Sequence, residues 1–257
     1  MILKNKFLKL GYLPKVFLMG GLGNQLWIIN YAFNLTLNSD KVIIDDSWYQ
    51  DYSKLFFNKK RVIRNSYSEI FRGISDKFIF YNSPLSLLKY RFIKSLNLRN
   101  YEKFYSYYQT DITINKDFKR RLSKLLISYL SKKQKLMLKE KFNFLSKKIS
   151  LHLRIGDKGL PSKNEIDFIE SLLKKIKHNE ELILFSDSQK DAEKFIKRFL
   201  DNKLIFLEGE DEIFNIVLLA FCKKTIILRE STFSFWGTTL SNELKEEFIS
   251  LFLDNDY

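Results

Sequence analysis

From residue 149 onward, short apolar runs and amphipathic stretches alternate with a regularity that few architectures permit. Ile149 to Arg154 reads as strand, Glu165 to Lys177 as helix, Glu181 to Ser186 as strand and Asp191 to Leu200 as helix. Leu204 to Leu207, Asp211 to Cys222, Thr225 to Leu228 and Ser234 to Leu244 continue the series as strand, helix, strand, helix. Strands separated by helices pair in parallel, so this half is expected to be a parallel α/β domain.

The N-terminal end carries a shorter version of the same pattern. Val16 to Met19 is an apolar run that meets Gly20-Gly21-Leu22-Gly23, a helical pattern follows from Leu26 to about Leu37, and Lys41 to Ile44 reads as a second strand ending at Asp45 and Asp46. That is one βαβ unit. From Trp48 to Tyr108 the chain is aromatic and basic without a clean period, and no topology is legible. Residues 116–148 show helical spacing, with Leu122, Leu125, Leu126, Tyr129 and Leu130 on one side. Between Lys119 and Lys148 stand eleven Lys or Arg against one acid, Glu140. A boundary near 149 gives expected domains 1–149 and 150–257, two Rossmann-like halves facing a cleft, with no internal repeat.

Composition narrows the partners. An apolar content of 45% supports a sizeable core, and the single Cys222 excludes an internal disulfide framework, so a reducing compartment is expected. No apolar run approaches the ~20 residues that span a bilayer, and Met1 to Lys15 lacks a signal-peptide pattern, which points to the cytoplasm. The net charge of +14 fits nucleic acid, an anionic membrane surface or a phosphorylated substrate. The basic stretch has an apolar side rather than the interleaved exposed aromatics of a nucleic-acid face, so a solvated face or one resting on anionic lipid explains it at least as well.

In open α/β sheets ligands bind beyond the carboxyl ends of the strands, and four such ends are rich in polar residues. Gly20 to Gln25 combines small residues with a helix start, but Leu26 replaces the third glycine of a dinucleotide fingerprint and the P-loop Gly-Lys-Ser/Thr is absent. A bare structural turn competes with a ligand loop there. In Leu151-His152-Leu153-Arg154-Ile155-Gly156-Asp157, His and Arg on a buried strand are costly unless paired, and the guanidinium fork suits a diphosphate. An Arg154–Asp157 structural pair with His152 as a core residue is the plainer alternative. Asp187 either meets a nucleoside or caps the next helix. Ser231 to Gly237 offers hydroxyls and N–H groups for an anion, while Phe233, Phe235 and Trp236 read as core packing. His178 reads as solvated, Cys222 as core, and Asp254-Asn255-Asp256 as a frayed tail rather than a metal motif.

Taken together, these motifs resemble those of the inverting bacterial α-1,2-fucosyltransferases of surface-polysaccharide synthesis. Gly20-Gly21-Leu22-Gly23-Asn24-Gln25-Leu26 with Tyr31-Ala32-Phe33, and then Asp45 to Trp48, look like the family's opening. His152 to Asp157 is similar to its His-x-Arg-Arg-Gly-Asp motif, Phe185-Ser186-Asp187 to Phe-Ser-Asp, and Ser231 to Gly237 to Ser-Ser-Phe-Ser-Trp-Trp-Gly. The chain departs from the pattern at Ile155, Lys158 and Arg229-Glu230. The resemblance implies a GT-B-like transferase, its C-terminal half binding GDP-β-L-fucose and its product an α-1,2 linkage to a galactose-type hydroxyl of an oligosaccharide or lipid-linked glycan. It implies no metal or other cofactor, Arg154 on the diphosphate, and Gly21, Gly23, Gln25, His152, Asp187, Ser231, Phe233 and Ser234 around the donor. Asn24 would face the reacting centre and Asp157 is a candidate base, with Asp45 and Asp46 as others. A related GDP-6-deoxy sugar such as GDP-colitose, or a non-catalytic sugar-binding role, are the alternatives. A cytoplasmic protein, free or peripheral on the inner membrane face, is expected, with nucleic acid no partner.

Overall fold

A computed structural model of the chain describes residues 13–49, 65–95, 113–177, 180–207 and 211–252. Its chain divides into two compact units, Met1–Leu125 and Leu126–Tyr257. Both are built on parallel sheets.

In the first unit, β1 (Lys15–Phe17) leads into α1 (Leu22–Thr36) and β2 (Val42–Asp45). A short 3-10 turn at Ser47–Tyr49, α2 (Ser68–Arg72), β3 (Phe78–Tyr81), α3 (Pro84–Ser95) and α4 (Lys116–Tyr129) follow, and the division between the units falls within α4. The strands lie in the order β1-β2-β3, with Val16 beside Ile44 and Ile44 beside Phe80. α1 starts at Leu22 rather than Leu26, because Gly20 turns the chain at a φ of 84° and Gly21 then serves as N-cap. The amides of Asn24 and Gln25 already bond back to the Gly21 carbonyl. β3 lies where the sequence showed no element. It is a half-exposed edge of aromatic residues, with Ile79 and Tyr81 in solvent, so neither an apolar run nor a clean alternation marks it.

After the last turn of α4, the second unit continues with α5 (Lys132–Leu145), β4 (Ile149–His152), α6 (Lys163–Leu173), β5 (Leu182–Phe185), α7 (Gln189–Ile196) and β6 (Leu204–Ile205). It closes with α8 (Glu212–Phe221), β7 (Lys224–Ile227), α9 (Thr232–Thr239) and α10 (Ser241–Phe252). The basic stretch is therefore two helices, broken at Leu130 and restarted by a Ser131–Gln134 capping box. It was expected to precede a boundary near 149, yet the division falls at Leu125 and Leu126. Phe142 stacks on Phe248 at 5.9 Å and meets Phe221 edge-on at 5.6 Å, and Gln134 donates to Asp211, which ties α5 to the second unit. The expected helix over 234–244 is likewise two, α9 and α10, meeting where the Ser241 hydroxyl donates to the Ala220 carbonyl.

Sheet order in this unit is β6-β5-β4-β7. β5 and β6 add on one side of β4, and β7 returns to the other, so the order reverses between β4 and β7. That is the topological switch point at which open α/β sheets leave a crevice. Leu151, Leu153 and Ile155 pack with Ile169, Leu173 and Phe195 of α6 and α7 in one core. The other core centres on α8, eight of whose ten residues are buried, including Phe214 and Phe221. Trp236 of α9 and Phe248 of α10 are fully buried too. Cys222 closes α8, and burial pushes its thiol up to about 11, in keeping with a core residue. Among the described residues no helix is long and apolar enough to cross a membrane. His178 and Asp254 to Asp256 lie outside the described residues.

Candidate functional site

The strand period decides which motif residues reach the switch point. Because Leu151, Leu153 and Ile155 face the core, His152 and Arg154 project to the opposite side of β4 and its extension. An arginine at 155 would put a cation into that core, so Ile155 is a packing residue and takes nothing from the polar face.

Arg154 binds Asp157 through two parallel hydrogen bonds, Nε to Oδ1 at 2.8 Å and Nη2 to Oδ2 at 2.6 Å. The structural pair that the sequence offers is thus present. Arg154 Nε also lies 3.9 Å from an Asp187 oxygen, and Glu212 adds to the negative surroundings, so the guanidinium is held charged above its ordinary range, chiefly by Asp157.

Asp187 does not cap α7, whose N-cap is Ser188. Its Oδ1 instead accepts from the amides of Ile155 and Gly156 at 2.9 and 3.0 Å, clipping the end of β5 to the loop after β4. The clip needs glycine at 156, where a Cβ would stand 2.7 Å from Asp187 Oδ2.

His152 is buried and its ring stacks on Phe233 at 5.8 Å and 27°. Phe233 is half-buried in the first turn of α9, so part of its area serves this contact rather than the core. Burial pulls the imidazole down to about 4, with Arg154 helping and Asp187 opposing. His152 is therefore neutral near pH 7, and its Nδ1 is buried without a hydrogen-bond partner among the described residues. The unfolded chain takes up this proton near pH 6.5 and the folded chain only near 4, so stability falls as pH drops through that window. The full span amounts to about 3 kcal/mol. Urea unfolding between pH 7 and 4.5 is expected to show most of that loss, and His152→Leu to flatten it.

α9 begins at the end of β7. Its N-cap is Ser231, whose Oγ caps no amide and is buried without a partner among the described residues, and its first turn contains no acid. Ser234 is fully buried, with its hydroxyl on the Ser231 carbonyl at 3.2 Å. The N-terminal amides of this helix form a partial positive charge beside β4.

Sequence reasoning treated Arg229 and Glu165 only as a departure and a helix start. They join in a two-point pair, Nε to Oε1 at 2.7 Å and Nη2 to Oε2 at 3.3 Å, while Arg229 Nη1 donates to the carbonyls of Arg154 and Gly159 at 3.2 and 2.8 Å. Bonds from Ser162 and from Arg229 hold the Glu165 carboxyl down to about 2. One arginine thereby fixes both ends of the 154–159 loop. The available signal was a cation closing the apolar run Thr225 to Leu228.

In the first unit, Gly21 and Gly23 lie at the start of α1, and Asn24 is half-buried in its first turn. Gln25 is fully buried and spends its amide on the Gly20 and Asn65 carbonyls and the Tyr67 amide, fixing the glycine turn. The Tyr49 hydroxyl adds a 2.7 Å bond to Gly20. Asp45 accepts from the Ser47 amide and pairs with Lys15 at 2.6 Å. Asp46 is buried with one oxygen unpartnered among the described residues. Burial raises its carboxyl, Asp45 adds to the rise, and Ser68 and Arg72 oppose it. Among the described residues no cluster of three or more His, Cys, Asp or Glu is arranged to hold a metal ion.

No protein-family model and no curated protein matches the chain. Among solved structures it is similar to the α-1,6-fucosyltransferase NodZ co-crystallized with GDP, at 13% identity and a TM-score of 0.47, over 89% of this chain and 93% of that one. Fucosyltransferase NodZ from Bradyrhizobium matches at 12% and 0.47 over the same shares, and NodZ soaked with GDP-fucose at 12% and 0.42 over 91% and 93%. Identities this low carry no residue correspondences.

Proposed function

We propose that the chain is a glycosyltransferase that uses a GDP-6-deoxy sugar, GDP-β-L-fucose first among them, and binds its diphosphate at the β4–β7 crevice without a metal ion. The observation that carries this reading is the conjunction at the switch point. The Arg154 charge acts on His152, whose ring stacks on Phe233 in the uncapped, acid-free first turn of α9, and two buried polar atoms, His152 Nδ1 and Ser231 Oγ, lack partners among the described residues. Unsatisfied buried groups favour a ligand that supplies their bonds, and a helix N-terminus with a guanidinium favours an anion.

In the proposed reaction an acceptor hydroxyl oxygen attacks the anomeric carbon as the carbon–oxygen bond to the diphosphate breaks, inverting that centre and leaving GDP with the electron pair. Arg154 and the α9 amides take the growing charge, which is the cation's task in metal-dependent transferases. His152 Nδ1 and Asp187 Oδ2 are left for the nucleoside, and the Asp157 carboxylate accepts the hydroxyl proton. The resemblance of the motifs to the α-1,2-fucosyltransferases supports fucose and a galactose-type acceptor. The basic outer faces of α4 and α5 fit anionic lipid on the cytoplasmic side of a membrane that presents a lipid-linked acceptor.

Incubating the protein with GDP-fucose, GDP-colitose, GDP-mannose or UDP-galactose, a β-galactoside and EDTA tests the reading. An α-1,2-fucosylated product, identified by NMR, is expected from GDP-fucose. Transfer only from UDP-galactose, or hydrolysis and transfer from none, overturns it in favour of another donor class or a binding protein.

A further inference from the structure

Arg154 alone leaves an electrostatic imbalance at the proposed site. Its fork is occupied by Asp157, with Asp187 and Glu212 also in its surroundings. A diphosphate adds more negative charge to that ring, so a second cation is needed that is not already neutralised by a carboxylate.

Lys158 meets that description. It follows Asp157 on the clamped 154–159 loop, and its Nζ donates to the Glu230 carbonyl at 2.9 Å. Glu230 immediately precedes Ser231, the N-cap of α9. The ammonium therefore rests beside a helix N-terminus, where a cation is disfavoured unless an anion joins it. Among the described residues no carboxylate pairs with it. Independent of the helix, the buried His152, stacked on Phe233 of the same first turn, keeps Nδ1 without a partner. The position is also stiff. Arg229 holds the carbonyls of Arg154 and Gly159 on either side of Lys158, so the backbone that carries it is fixed while the side chain is free to swing from one oxygen to another.

We propose that Lys158 is a donor-binding residue whose ammonium leaves the Glu230 carbonyl to bind a phosphate oxygen of the donor, supplying the second cation of the diphosphate subsite. This rests on the donor-site reading above. Lys158 is exposed, so its replacement is compatible with folding.

The test is calorimetric titration of GDP in EDTA into the wild type, Lys158→Met and Lys158→Arg at 50 and 300 mM NaCl. Lys158→Met is expected to weaken GDP about tenfold or more at low salt, as loss of a charge-assisted bond does, and to show a shallower salt dependence than the wild type. Lys158→Arg is expected to stay within about threefold. GDP affinity and salt dependence unchanged in Lys158→Met overturn the role of Lys158 while the donor site stands. A weaker but equally salt-sensitive Lys158→Met shows a loop-positioning role and also overturns it. Absence of GDP binding in the wild type removes the donor site and this proposal together.

Discussion

Arg154→Ala is expected to lower transfer by two to three orders of magnitude while the protein unfolds within a few degrees of the wild type. In the proposed reaction the guanidinium meets charge developing on the leaving diphosphate, and its removal should cost what deletion of one such donor costs. The structural loss is small because the Arg154–Asp157 pair is partly open to solvent, with side-chain exposures of 23% and 47%, and such pairs contribute about 1 kcal/mol or less. At this chain length that corresponds to about 2–4 °C. Steady-state transfer beside a thermal melt separates the two. Loss of folding in proportion to loss of turnover would mark the pair as purely structural, and Arg154→Lys, which keeps charge but not the fork, should retain only part of the activity.

The largest effect on stability is expected at Trp236. It is fully buried in α9, and the residue after it, Gly237, fits so closely against α8 that a Cβ would stand 2.5 Å from Leu219 Cδ2. Trp236→Ala leaves a cavity that the two helices cannot close, at a cost of about 3–5 kcal/mol. A typical domain has only about 5–15 kcal/mol to lose. Because the first turn of α9 carries Ser231, Phe233 and Ser234, the same substitution should abolish GDP binding although Trp236 itself is out of reach of solvent. Urea unfolding with and without GDP checks both parts. Trp236→Phe, which keeps most of the volume, should recover most of the stability, and full GDP binding in Trp236→Ala would detach the site from α9.

What the sequence disclosed and what it hid follow from the range of the interactions involved. β4, β5 and β7 were legible because they are apolar runs between amphipathic helices, and their parallel order follows from the alternation. β3 was not, since an edge strand of half-exposed aromatics carries little pattern. The break between α4 and α5 had a local signature, Ser131 with Gln134, that a continuous lysine-rich period obscured. At the candidate site, the strand ends and their residues could be read. Their bonding could not, because it depends on contacts between distant segments: Asp187 turns back to the amides of 155 and 156, and Arg229 reaches 64 residues back in sequence to Glu165. The same holds for Gln25, whose neighbours in the motif pointed to a ligand while its amide binds Asn65 and Tyr67. Ile155 shows the converse. As a motif departure it suggested a lost charge, and the strand period makes it a core residue.

A metal-free GDP-sugar site at the β4–β7 crevice should reveal itself in thermal stabilisation of the purified chain in EDTA by GDP, with ADP, UDP and NAD as controls. A ligand that binds only the folded state raises the midpoint as its concentration exceeds Kd. The midpoint should rise with GDP alone, the more so at higher concentration, and should not move in Arg154→Ala. No rise with GDP, or an equal rise with UDP and ADP, would rule such a site out.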